Sequence, residues 1–314
     1  MFENMDIARL KYILTMDCNF RCDYCFEGGK TNKFLDVDQA VAVGKQVLGE
    51  MTQEELTVLY FGGEPFLRFR DMKLITQVLA LYALKMKKRI AFSAIINGTI
   101  LTAEMAEHLS RYRYYLSVSC DGVAEAHNIH RGFLNGARTS FPMVARNINI
   151  LNEATKDFCV SMVVTNQNVS YLSQSVAWLL ELGIKNFAIS PVLDQSQYTP
   201  DPILYERQLK EVADLAGNTS GRLTINPPLD KPWDDDNTTR RMYRSSQSVN
   251  IEFGPLGLNI IAEKSLAPQL DFSLDASAGG KSPASEEGRA AVINAEKAAS
   301  LYYGAIKSQR ENFK

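Results

Sequence analysis

Along residues 9–216, short apolar runs rich in β-branched and aromatic side chains alternate with longer segments whose apolar positions recur every three or four residues. The runs at 10–15, 56–61, 90–96, 114–119, 159–165 and 184–190 predict six strands, because short apolar runs bounded by turn residues suit a pleated strand. Helical periodicity predicts helices over 36–48, 71–87, 102–111, 140–154, 170–182 and 202–215. Asp36 and Thr102 stand where N-caps belong, and Glu104 adds an acid to a first turn. Strand followed by helix, repeated along the chain, is the signature of parallel βαβ units. The expected class is α/β, a partial (β/α)6 parallel barrel over residues 1–216.

Past residue 216 the rhythm breaks. Asn226, Pro227 and Pro228 form a stop, and 233–236 is a polar, turn-rich patch whose acidic run reads as a solvated loop. Residues 249–261 predict a hairpin turning between Gly254 and Gly257. Residues 273–287 are small and polar, as in a flexible linker. Ser282 and Pro283 would then cap a terminal helix with Ala291, Ala295, Ala298, Tyr302 and Ala305 on one face. Residues 217–314 are therefore expected to be a small hairpin-plus-helix extension.

Composition removes several classes. The 314 residues are 46% hydrophobic and 22% charged, ordinary values for a folded domain. With 34 basic and 36 acidic residues the net charge is −2, which leaves no broad basic surface for a nucleic-acid polymer. No run approaches the roughly 20 apolar residues of a membrane helix, and the N-terminus lacks a signal-peptide layout. A cytoplasmic protein without membrane association is expected. Five cysteines, three of them within residues 18–25, make a disulfide framework a poor explanation. Three histidines, His108, His127 and His130, are too few for a His-rich zinc site.

Cys18, Cys22 and Cys25 have C-x3-C-x2-C spacing in the loop after the first strand. Three thiolates suffice for three corners of a four-iron, four-sulfur cube and leave one iron open to another ligand. A structural zinc site closes with four ligands, and no histidine or fourth cysteine is near in sequence. Gly62, Gly63, Glu64 and Pro65 follow the second strand, Asn97 the third, and Ser119 the fourth, with Arg131 downstream. In a parallel barrel these positions share the carboxyl-end face, where barrel active sites are built. Gly62 and Gly63 would let backbone approach a ligand, and the Glu64 carboxylate suits an ammonium. In isolation the same four residues also read as a turn with Pro65 starting a helix.

Taken together, these motifs resemble the radical S-adenosylmethionine (SAM) enzymes, whose cysteine loop carries an aromatic residue, here Tyr24, before its last cysteine. Over residues 9–193 the sequence is most similar to the SPASM and twitch-bearing branch, which contains peptide maturases and anaerobic sulfatase-maturating enzymes. The resemblance implies two cofactors, one 4Fe-4S cluster on Cys18, Cys22 and Cys25, and SAM. It places Gly62, Gly63, Glu64 and Pro65 at the methionyl amino group, Asn97 near the ribose, and Ser119 and Arg131 on polar groups of SAM, with Arg131 suited to its carboxylate. Val164 would pack on adenine, although a lone apolar strand residue also reads as plain core. The implied chemistry is reductive cleavage of SAM to a 5′-deoxyadenosyl radical that takes a hydrogen atom from a substrate, with flavodoxin or ferredoxin as electron donor. Members of that branch carry further cysteines for auxiliary clusters, whereas this chain has none after Cys159. One cluster is expected.

A ribosomally made peptide, crosslinked or epimerised, is the first expected substrate. The alternative is a small molecule such as a sugar or nucleotide, since viperin-type enzymes share the Cys25-Phe26, Gly-Gly-Glu-Pro and Ser-Cys-Asp stretches. A non-catalytic iron–sulfur sensor or partner subunit is the third. Because the first strand begins close to residue 1, no separate N-terminal domain for a leader peptide is expected. Cys120 would donate a hydrogen atom to a substrate radical if it faced the site. Strand alternation turns it toward the helices when Ser119 points inward. Cys159, at the other end of its strand, reads as structural.

Overall fold

The computed structural model describes residues 6–25, 27, 30–136, 139–154, 158–184, 186–192, 195–217, 222–225, 248–254, 257–262 and 270–273. Six strands fall on the six predicted runs: β1 (Asp6–Thr15), β2 (Glu55–Gly62), β3 (Arg89–Ile96), β4 (Tyr115–Ser119), β5 (Phe158–Val164) and β6 (Asn186–Pro191). Each pairs in parallel with the next in sequence. β1 and β6 do not pair with each other, so the sheet stays open as a partial barrel.

Further strands extend both edges. β7 (Arg222–Ile225) lies parallel to β6, and β10 (Leu270–Ser273) is antiparallel to β7. β8 (Ser248–Gly254) and β9 (Gly257–Ala262) form the expected hairpin, with Gly254 opposite Gly257. β8 runs parallel beside β1, so the hairpin continues the sheet that carries the cysteine loop. The sequence pattern does not reveal this pairing, because it joins segments far apart in the chain. The polar patch at 233–236, the linker beyond Ser273 and the terminal helix lie outside the described residues.

Among the described residues seven helices accompany the strands: α1 (Val37–Glu50), α2 (Phe69–Lys85), α3 (Ala103–Arg111), α4 (Ala124–His130), α5 (Phe141–Ala154), α6 (Leu172–Glu181) and α7 (Pro202–Gly217). Both predicted caps form, the Asp36 carboxylate accepting from the Gln39 N–H at 2.9 Å and the Thr102 hydroxyl from the Met105 N–H at 3.2 Å. Sequence reasoning missed α4, whose seven residues are too short and polar to show an apolar period.

Strand alternation sorts the side chains into two faces. Leu10, Tyr12, Leu56, Val58, Phe92, Leu116, Val118, Val160 and Met162 are buried with helix residues such as Val47, Ile75, Leu79, Ile148 and Leu179. The opposite face carries Thr57, Leu59, Phe61, Ser93, Ser117, Ser119, Ser161 and Ser190 at intermediate burial. Among the described residues, helices therefore cover one side of the sheet and leave the other as a trough. The parallel strands direct all their carboxyl ends to one rim of it.

Candidate active site at the carboxyl rim

The loop after β1 is held from several sides. The Arg21 N–H donates to the Gly132 carbonyl at 2.9 Å and the Leu134 N–H to the Asn19 carbonyl at 2.8 Å. Phe20 packs edge-on against Phe133 with ring centroids 5.2 Å apart. These contacts fix the three cysteines against the segment that follows α4.

Gly62 and Gly63 bring the end of β2 against the same loop. The Gly63 N–H donates to the Thr15 carbonyl and the Glu64 N–H to the Asp17 carbonyl, each at 2.9 Å. A Cβ on Gly63 would lie 2.1 Å from the Asp17 oxygen. One on Gly62, where φ is +129°, would lie 2.3 Å from the Thr15 oxygen. The glycines therefore serve close packing of β2 on the cysteine loop, since a side chain at either would meet that loop's backbone.

Glu64 is 1% exposed. Its carboxylate accepts from the Phe66 N–H at 2.9 Å, capping the short 3-10 turn Pro65–Arg68, and from the Asn97 N–H at 2.7 Å. Burial raises its pKa to about 7, partly offset by these two N–H donors. Asn97 in turn donates to the Asn19 side-chain oxygen at 2.6 Å and accepts from the Thr99 N–H at 3.0 Å and hydroxyl at 2.7 Å. Glu64 and Asn97 therefore tie the ends of β2 and β3 to the cysteine loop.

The hub on the far side is Asp121, which sequence reasoning quoted in a motif but did not single out. It accepts from Arg131 Nη2 at 2.9 Å, from the Val163 N–H at 2.9 Å and from the Tyr24 hydroxyl at 2.5 Å. Burial, the largest influence, would raise the Asp121 pKa, but the Arg131 guanidinium, His127 and the Tyr24 hydroxyl together hold the carboxyl below the ordinary range. Arg131 also lies 5.4 Å from the Tyr24 ring centroid, and its buried Nε has no partner among the described residues. Beside the hub, His130 reaches Thr165 at 2.9 Å and Asp23 at 3.4 Å. His127, which burial lowers to about 4, meets the Ser140 hydroxyl at 3.0 Å. Both histidines are wholly buried struts, a role that their polar sequence context does not betray.

The donor set fits an iron–sulfur cluster. Among the described residues no three His, Cys, Asp or Glu side chains gather tightly enough to hold a single ion. A cubane places each thiolate on a different iron, so three thiols sharing one loop without converging suit it better than mononuclear zinc. Burial pushes the Cys22 thiol up to about 12, with Arg131 drawing it partly back, so a bound cation would have to displace that proton.

Comparison with known proteins gives this rim its context. The family model of the radical SAM superfamily matches residues 12–179. The chain belongs to the radical SAM superfamily. An uncharacterized protein of Methanocaldococcus jannaschii is 27% identical over 176 residues, 56% of this chain and 59% of its own. An S-adenosylmethionine-dependent nucleotide dehydratase of Danio rerio is 26% identical over 162 residues, 52% of this chain and 44% of its own. A cysteine-type anaerobic sulfatase-maturating enzyme of Clostridium perfringens is 24% identical over 214 residues, 63% of this chain and 57% of its own. The solved structure of native anSMEcpe with bound AdoMet and Cp18Cys peptide shares the fold with a TM-score of 0.61 at 23% identity, covering 68% of this chain and 60% of that one. The chain spans about half the length of the curated relatives it matches. Among the described residues no helix is long and apolar enough to cross a membrane.

Within this radical SAM fold two alternatives that the sequence left open resolve toward the core. Val164 is 2% exposed and belongs to the helix-covered core, while its neighbour Val163 stands on the trough face. Alternation by one residue moves a side chain to the other face, so the adenine-packing role does not fit Val164. Cys120 is 0% exposed, with its Sγ 3.5 Å from the Gly122 carbonyl oxygen, and it too faces the core. It is not placed to meet a substrate. Cys120→Ala should leave iron uptake on reconstitution unchanged and cost about 1 kcal/mol in urea unfolding. Less modified substrate per 5′-deoxyadenosine formed, with folding intact, would restore the hydrogen-donor role. Ser119 does face the trough, paired in register with Ser161.

Proposed function

We propose that this chain is a radical SAM enzyme that abstracts a hydrogen atom from a ribosomally made peptide, leading to a crosslink or an epimerised residue. The observation that carries this reading is the anchoring of the loop bearing Cys18, Cys22 and Cys25 to Glu64, Asn97 and Asp121, through Asp17, Asn19 and Tyr24, at one rim of an open parallel sheet. Cys18, Cys22 and Cys25 would hold one 4Fe-4S cluster. Glu64 would meet the SAM amino group beside Gly62, Gly63 and Pro65, Asn97 would face the ribose, and Ser119 and Arg131 would face its remaining polar groups, with Tyr24 holding the loop in place. When bound, the cluster and SAM supply reductive cleavage to methionine and a 5′-deoxyadenosyl radical, fed by flavodoxin or ferredoxin. The chain's own work is to orient that pair and exclude water from it.

The sulfatase-maturating relative and the fold shared with a peptide-bound enzyme support a peptide substrate. The nucleotide dehydratase relative supports the second reading, a small molecule. The test is 5′-deoxyadenosine formation by anaerobically reconstituted, reduced protein with SAM and host extract. Wild type should form product, and Cys22→Ala should fall to the no-protein background. Stimulation by extract that protease abolishes is the expected result; stimulation that survives protease selects the small molecule. A wild type no more active than Cys22→Ala would leave only a non-catalytic iron–sulfur role.

A further inference from the structure

Lys30 lies outside every motif that the sequence singles out, five residues past the last clustered cysteine, yet it turns back toward that cysteine. Its Nζ donates to Cys25 Sγ at 3.2 Å. The side chain is half-buried, and no carboxylate meets the ammonium among the described residues.

Each electron taken up by a thiolate-bound cluster adds one negative charge. A cation that donates to a ligating sulfur stabilises the reduced form more than the oxidised one, because the reduced form carries more charge on its sulfurs. Partial burial weakens solvent screening and strengthens the effect. We propose that Lys30 is a positioning residue that acts through Cys25 to raise the reduction potential of the cluster, making it easier for a low-potential donor to load. The proposal rests on the assignment of Cys18, Cys22 and Cys25 as cluster ligands. It concerns the chain's own hydrogen bond to sulfur and requires no contact between Lys30 and SAM.

The experiment is a potentiometric titration of the anaerobically reconstituted protein without SAM, following the reduced-cluster electron paramagnetic resonance signal beside iron content. At the potential where half the wild-type clusters are reduced, Lys30→Met should show a reduced-to-oxidised ratio lower by about tenfold, a shift of ~59 mV for one electron. Lys30→Arg, which keeps donor and charge, should return most of the shift, and Lys30→Gln, a neutral donor, should fall between. Full iron loading in Lys30→Met with an unchanged midpoint overturns the proposal. Should the Met variant load no iron, the Arg and Gln variants decide instead, and equal midpoints in those two overturn it. A wild type that binds no cluster overturns the ligand assignment and the proposal with it, and iron content separates that case from a failure at Lys30 alone.

Discussion

Asp121→Ala is expected to cost about 3–5 kcal/mol of stability, the range for breaking a buried ion pair from one side. Arg131 is only 6% exposed and would keep its charge with its counter-ion gone. The Tyr24 hydroxyl and the Val163 N–H would lose their acceptor in the same step. Because Tyr24 adjoins Cys25, the cysteine loop should loosen and iron uptake on reconstitution should fall with it. Urea unfolding and iron per chain measure both effects, and a cost below 1 kcal/mol would show that Asp121 is not the hub. The pH dependence has a definite sign. Asp121 titrates below its ordinary value, so its contribution is complete above the unfolded carboxylate pKa of about 4 and fades as pH falls toward the folded value. Asp121→Asn should lose stability at neutral pH and show a shallower decline on acidification than wild type.

Gly63→Ala comes next in size. The added Cβ would meet the Asp17 carbonyl at 2.1 Å, and backbone offers no flexible end that can swing aside. The loop must move, breaking the bonds from Gly63 to Thr15 and from Glu64 to Asp17. Overpacking together with two lost hydrogen bonds should cost about 3 kcal/mol and displace Cys18 from the geometry that cluster assembly needs. Gly49→Ala is the control: it lies in α1, its Cβ would stand 3.8 Å from the Tyr82 hydroxyl oxygen, and alanine there should stabilise the helix by about 0.5–1 kcal/mol. Normal cluster loading and stability in Gly63→Ala would mean that the β2 end and the cysteine loop are not locked together.

Much of this protein is legible in residue order. Six apolar runs with helical segments between them determine six parallel strands, since periodicity reports which face of an element is buried whatever its partner. Asp36 and Thr102 mark helix starts because a cap is satisfied within three residues. The spacing of Cys18, Cys22 and Cys25, with Glu64 and Asn97 at later strand ends, marks the rim, because parallel strands send their carboxyl ends the same way. Tertiary structure alone decides what these residues touch. Asp121 meets Tyr24 across 97 positions of chain, Gly63 packs on the Asp17 backbone, the 248–262 hairpin pairs with β1, and the Lys30 ammonium returns to Cys25. Such contacts arise where distant segments are brought together by the packing of the whole sheet, and a one-residue change of strand phase, as between Val163 and Val164, moves a side chain from trough to core. Local pattern carries the period of an element, while its phase against distant neighbours is settled by packing in three dimensions.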